Sequence, residues 1–169
     1  MFGTHVTDGS PADDADDFSG KLYFLYDSNN LYVFAVISDQ KMVSASSEKH
    51  KNDAIELFFD PDNTDVTPYQ KYYGPTHLLD NSDVEYAQTP GSTVKRGRWE
   101  KGYTLEFNVL FDDIKAGLAP VDGKTIGFDV QLDDSDDPTA GRETALCWAG
   151  GENQDWLTAA YYGDLHFVK

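Results

Sequence analysis

A chain of 169 residues, 40% apolar and 14% aromatic, has the size of one domain and enough apolar surface for a substantial core. Thirteen basic residues against thirty acidic ones give a formal charge of −17. That balance argues against nucleic-acid or anionic-membrane partners, which need a basic footprint, and leaves neutral ligands and cations open. Cys147 stands alone, so neither an internal disulfide nor a CxxC-type metal site can form. No apolar run approaches the roughly 18 residues of a membrane span. The start MFGTHVTDGS lacks the basic residues and apolar stretch of a signal peptide.

Residues 1–20 are polar, with Asp13, Asp14, Asp16 and Asp17 close together, and read as an exposed arm ahead of a single domain over 21–169. KLYFLY (21–26) and LYVFAVIS (31–38) are apolar runs parted by DSNN, a turn sequence, and predict a hairpin. The second run is apolar on both faces, as expected of a strand covered on both sides. AIELFFD (54–60) places Ile55, Leu57 and Phe59 on one face and Glu56, Phe58 and Asp60 on the other. YQKYY (69–73) predicts a short aromatic strand, 77–79 and 84–88 weaker ones, and 94–100 another. YTLEFNVL (103–110) alternates cleanly, and FDDIKAG is the one plausible helical turn. TIGFDVQLDDSDD (125–137), 144–149 and 163–168 complete the set. About ten short strands without a long amphipathic helix predict an all-β fold, an antiparallel β-sandwich of jelly-roll type.

In TIGFDVQLDD, Ile126, Phe128, Val130 and Leu132 share one face, and Gly127, Asp129, Gln131 and Asp133 the other. Polar groups on so hydrophobic a strand need a reason. With Glu56 they are candidates for a binding surface, because sugar hydroxyls both donate and accept and require carboxylates and amides at fixed positions. The alternative is a face turned to solvent. Trp156, in the polar segment GENQDW, suits a loop platform for the apolar face of a pyranose. Trp148, inside ALCWA, reads as core. Arg142 either donates to a ligand or neutralises the acidic loop before it. Asp60, Asp62, Asn63 and Asp65 alternate oxygen donors as calcium loops do, without the EF-hand's spacing, and a second acidic loop carries Asp133, Asp134 and Asp136.

The ordered set DSNNLYVFAVISD, NDAIELFFDPDN, GYTLEFNV, GKTIGFDVQLDDSDD, Arg142, Cys147-Trp148 and NQDWLTAAYYGDLHFV resembles a family 9 carbohydrate-binding module from about Tyr26 to the C-terminus. The resemblance implies a non-catalytic β-sandwich that binds saccharides, often at chain ends. It also implies structural calcium, secretion or display at the cell surface, and a monomeric module tethered to a polysaccharide-degrading enzyme. By position, Glu56, Gln131, Arg142 and Trp156 match the family's sugar site, with Asn153 in the same loop as the tryptophan. The family's best-known members hold the sugar between two Trp rings. His50 occupies the position aligned with the first ring, so Tyr72 or Tyr73 becomes a candidate for that wall. The acidic loops themselves offer Asp60, Asp62, Asp133, Asp134 and Asp136 as candidate ligands for that calcium.

Two other readings compete. A glycan-active enzyme would use a carboxylate pair such as Glu56 with Glu106 or Asp129. A haem-binding sandwich would ligate iron through Met42 and a histidine.

Overall fold

The computed structural model describes residues 5–43, 46–65, 69–75, 93–99, 101–150 and 157–169. Its elements, in order, are β1 (His5–Gly9), β2 (Phe18–Tyr26), β3 (Asn30–Asp39), β4 (Ala54–Asp60), β5 (Tyr69–Pro75), β6 (Thr93–Trp99) and β7 (Gly102–Leu110). A single helical turn, α1 (Phe111–Ile114), and then β8 (Thr125–Asp134), β9 (Thr144–Cys147) and β10 (Gly163–His166) follow. Two antiparallel sheets result: a six-stranded one ordered β1-β9-β8-β4-β5, with β10 also on β8, and a four-stranded one ordered β2-β3-β7-β6.

Alternation makes the core. Leu31, Val33, Ala35 and Ile37 of β3 and Leu105, Phe107 and Val109 of β7 point inward from the smaller sheet. Ile55, Leu57 and Phe59 of β4, with Ile126, Phe128, Val130 and Leu132 of β8, meet them from the larger. Gly20 marks a close approach of the sheets, since a Cβ there would come within 2.5 Å of Leu132 Cδ1.

The expected sandwich is present, and two local expectations change. The polar N-terminal segment is not an arm throughout: His5–Gly9 pairs antiparallel with β9 at the sheet edge. A five-residue edge strand with one apolar residue, Val6, depends on main-chain pairing rather than on a buried stripe, so its pattern is faint. Nor is β3 covered on both sides: it is central in its sheet, but Phe34 on the outer face is 40% exposed. The weak strands expected at 77–79 and 84–88 lie outside the described residues.

Candidate functional site

β4 and β8 pair along their whole length, with Glu56 directly opposite Gln131. Both therefore leave the outer face of the larger sheet as cross-strand neighbours, with Cβ atoms about 4.5–5.5 Å apart for such a pair. Cys147 of β9 extends the row on one side and the backbone position of Tyr73 on the other. Although this face points away from the core, Glu56 is only 4% exposed, Gln131 3%, and Asp129 and Asp133 0%. Burial that deep removes the reading in which these groups merely face solvent, because desolvated polar groups need partners.

The partners form a network. Gln131 Nε2 donates to Asp133 Oδ1 at 2.8 Å, and its Oε1 accepts from Cys147 Sγ at 3.5 Å, which sets the amide's orientation. Arg142 Nη1 donates to the same Asp133 oxygen at 2.9 Å, while Nη2 donates to Asp8 Oδ2 on β1. Burial is the largest influence on Asp133 and raises its pKa; the Arg142 charge and hydrogen bonds with Glu56, Gln131 and Arg142 oppose it. Burial also disfavours the Arg142 charge, but Asp133 and Asp8 outweigh it and lift the guanidinium's pKa. Arg142 is thus committed to two carboxylates, one of them on a strand that composition did not reveal. Asp129 is committed as well: its Oδ1 accepts the backbone N–H of Val130 at 2.7 Å and of Ala149 at 3.0 Å.

A second polar centre lies at the end of the sandwich where β3 and β8 stop and β4 begins. Oxygens of Asp39, Asp53 and Asp134 lie within 4.8 Å of one another, and all three residues are buried. Backbone amides hold them: Lys41 N donates to Asp39 Oδ1 at 2.7 Å, Ser135 N to Asp53 Oδ1 at 2.8 Å, and Val43 N to Asp53 Oδ2. Asp39 Oδ2 is buried with no hydrogen-bond partner. Burial, then the charges of Asp39 and Asp136, push Asp134 up to about 8, and burial pushes Asp39 up to about 6. Converging, desolvated carboxylates with an unsatisfied oxygen could hold a hard cation.

Residues 4–169 match the family described as carbohydrate family 9 binding domain-like. The chain belongs to that family. Endo-1,4-beta-xylanase A of Thermotoga neapolitana is 26% identical over 156 residues, covering 89% of this chain and 14% of the xylanase. The chain therefore spans about one seventh of that relative. A family 9 module from Caldicellulosiruptor kristjanssonii, solved with cellotriose, superposes with a TM-score of 0.77 at 18% identity, covering 99% of this chain and 80% of that one. A second structure of a family 9 module from the same organism, solved with glucose, gives 0.71 at 20% identity, covering 99% and 93%.

In this family 9 domain the expected site residues divide. Glu56, Gln131 and Arg142 are joined through Asp133, and Asn153 and Trp156 lie outside the described residues. His50 sits in the 3-10 turn Lys49–Lys51 ahead of β4, half-exposed, with Nε2 at 3.8 Å from Glu48 Oε2. Register distinguishes the two tyrosines: Tyr72 opposes core-facing Leu57, whereas Tyr73 opposes Glu56. The proposed cation ligands separate more sharply. Asp60 lies six residues and about 20 Å along β4 from the end that carries the acidic trio. Its Oδ2 accepts the amides of Thr64 at 2.7 Å and Asp65 at 2.9 Å, and Asp62 pairs with Lys115, so that loop is a self-satisfied turn. Asp133 belongs to Arg142, Asp136 is half-buried beside the trio, and only Asp134 is a member. Asp39 and Asp53, the other members of the trio, are not among the residues the sequence singled out; their one signal is that each closes or opens an apolar run.

Glu106, the other half of a possible catalytic pair, sits on the outer face of β7 in the opposite sheet. Met42 is partly buried and packs against the core.

Proposed function

We propose that this domain is a non-catalytic saccharide-binding module whose ligand docks on the outer face of the six-stranded sheet over Glu56 and Gln131. The observation that carries this is their direct cross-strand pairing, in a network that leaves the Gln131 amide oriented and the Glu56 carboxylate fixed beside it. Rigid strands hold the groups, so a sugar whose hydroxyls match loses little entropy, and one that does not strands buried polar atoms. Relatives solved with cellotriose and glucose support a glucose-type ligand. A xylanase seven times longer supports tethering to a secreted polysaccharide-degrading enzyme, which the module would concentrate on its polymer. Asp39, Asp53 and Asp134 would hold a structural calcium ion, neutralising three converging buried carboxylates.

Calorimetric titration with glucose, cellotriose and xylotriose tests the reading. Glu56→Gln should weaken binding roughly tenfold to a hundredfold, the range for a hydrogen bond to a charged group. Unchanged affinity in both Glu56→Gln and Gln131→Ala would place the sugar elsewhere. New reducing ends on incubation with polysaccharide would make the domain an enzyme.

A further inference from the structure

β1 places none of its described side chains in the hydrophobic core, yet it reaches the outer face of the larger sheet at two points. Its register with β9 slips between Val6 and Asp8, the signature of a β-bulge at Thr7. Bulges gather at sheet edges and beside functional sites, where the extra residue re-aims a side chain. Here two consecutive residues, Thr7 and Asp8, serve the outer face, and each meets a group that holds Gln131.

The longer link runs through Arg142. Asp8 on β1 and Asp133 on β8 both stand opposite Ala145 of β9. Two strand spacings, roughly 10 Å, separate their backbones. The guanidinium fills that interval, donating from Nη1 to Asp133 Oδ1 at 2.9 Å and from Nη2 to Asp8 Oδ2. Ala145, between them and fully buried, carries only a methyl group, which leaves the planar fork room to span the row. Asp133 Oδ1 also accepts from Gln131 Nε2 at 2.8 Å, so a single oxygen joins the arginine to the amide.

The shorter link runs through Cys147. Its Sγ donates to Gln131 Oε1 at 3.5 Å and lies 3.6 Å from Thr7 Oγ1, itself 3.4 Å from the Ala145 carbonyl. An ionised carboxylate only accepts and an amide oxygen cannot donate, so the two ends of the Gln131 amide are not interchangeable. Nε2 belongs to Asp133 and Oε1 to the thiol. What remains for a ligand is fixed in kind and direction: one Nε2 proton and one Oε1 lone pair, beside the Glu56 carboxylate.

We propose that Asp8, at the β1 bulge, is a positioning residue of the saccharide site. By anchoring Arg142 it fixes Asp133 and, through Asp133, the hydrogen-bonding sense of Gln131; Thr7 plays a lesser part through Cys147. This deepens the outer-face reading proposed above and rests on it. The consequence is specificity. Against a held amide, a sugar lacking the matching hydroxyl leaves a buried polar group unpaired, whereas an amide free to swivel turns to another partner.

Calorimetric titration of the whole domain with glucose and its monodeoxy analogues tests the role. The informative analogue is the one whose penalty vanishes in Gln131→Ala. Asp8 is half-exposed on an edge strand, so substitutions there should fold. Asp8→Asn should weaken glucose roughly threefold to tenfold, the effect of one lost hydrogen bond, and shrink the gap between glucose and that analogue. Adding Thr7→Val should narrow the gap further. Asp8→Glu, which keeps a carboxylate for Nη2, should restore most of both. Asp16→Asn, which removes an exposed carboxylate paired with Lys101, should change neither. Wild-type affinity in Asp8→Asn, with binding lost in Glu56→Gln, overturns the positioning role and leaves the outer face standing. So does a uniform fall in affinity with the analogue ratios unchanged, the mark of a purely structural role. Weakening by Asp16→Asn as large as by Asp8→Asn would trace the effect to net charge and overturn it too. A wild type that binds no glucose, or that keeps its affinity in both Glu56→Gln and Gln131→Ala, overturns the outer face and the positioning role together.

Discussion

Asp133 and Asp134 are adjacent on β8, both buried, and they solve the same electrostatic problem in opposite ways. Asp133 leaves the outer face and meets Arg142, which itself spans to Asp8. Asp134 leaves the other side at the strand's end and meets Asp39 and Asp53. One carboxylate is compensated by an arginine of the chain; the other sits where burial and then neighbouring like charges raise its pKa. Strand alternation makes the difference, turning one acid towards an arginine and its neighbour towards other acids. The first centre should ignore chelators and respond to loss of its arginine, and the second should do the reverse.

The largest effect should come from Arg142→Ala, which leaves Asp133 buried without its counter-charge. Breaking such a pair costs about 3–5 kcal/mol. For a domain of this length that lowers Tm by roughly 10 °C or more in a thermal melt, with or without calcium. A change under 2 °C would mean that Asp133 does not depend on the guanidinium. Next in size is calcium itself. Millimolar calcium should raise Tm by about 5–10 °C at pH 8, the increment for a ligand at about a hundred times its Kd, and a chelator should reverse it. Asp134→Asn should abolish that increment and, in chelator, raise Tm above wild type by removing repulsion. Loss of stability in both conditions would refute the cation site.

The smallest effect is pH dependence without metal. Asp39 and Asp134 have folded-state pKa values raised to about 6 and about 8, above their values in the unfolded chain. Between the unfolded and folded pKa the native state binds more protons, so the acids' contribution is fully present below about pH 4 and is lost as pH rises through 6 and then 8. Chelated protein should melt higher at pH 5 than at pH 8, and calcium should flatten or invert that slope, because binding requires the deprotonated carboxylates. A slope of the opposite sign without metal would show that the trio is not desolvated as described.

Much of this was legible in advance where a short-range rule governs. Period-two alternation in AIELFFD and TIGFDVQLDD assigned Glu56 and Gln131 to polar faces, and DSNN announced the hairpin that β2 and β3 form. The rule fails at element ends and edges. β1 carries too few apolar residues to register, so Asp8 as the second partner of Arg142 was invisible. Trp148 lies in an apolar string and reads as core, but it emerges where the core stops. The acidic trio was hidden differently. Asp60 and Asp62 lie in a conspicuous acidic cluster that satisfies itself, whereas Asp39 and Asp53 are single acids at strand ends.

By itself, the order of residues decided which side chains share a strand face, because that depends on backbone geometry over two positions. Folding decided everything that depends on register and dielectric: Glu56 against Gln131, Arg142 against Asp133 and Asp8, and Asp53 tied to Ser135 across 82 positions. Those pairings need strands distant in sequence to meet and exclude water, and only then does a carboxylate's charge demand a specific partner.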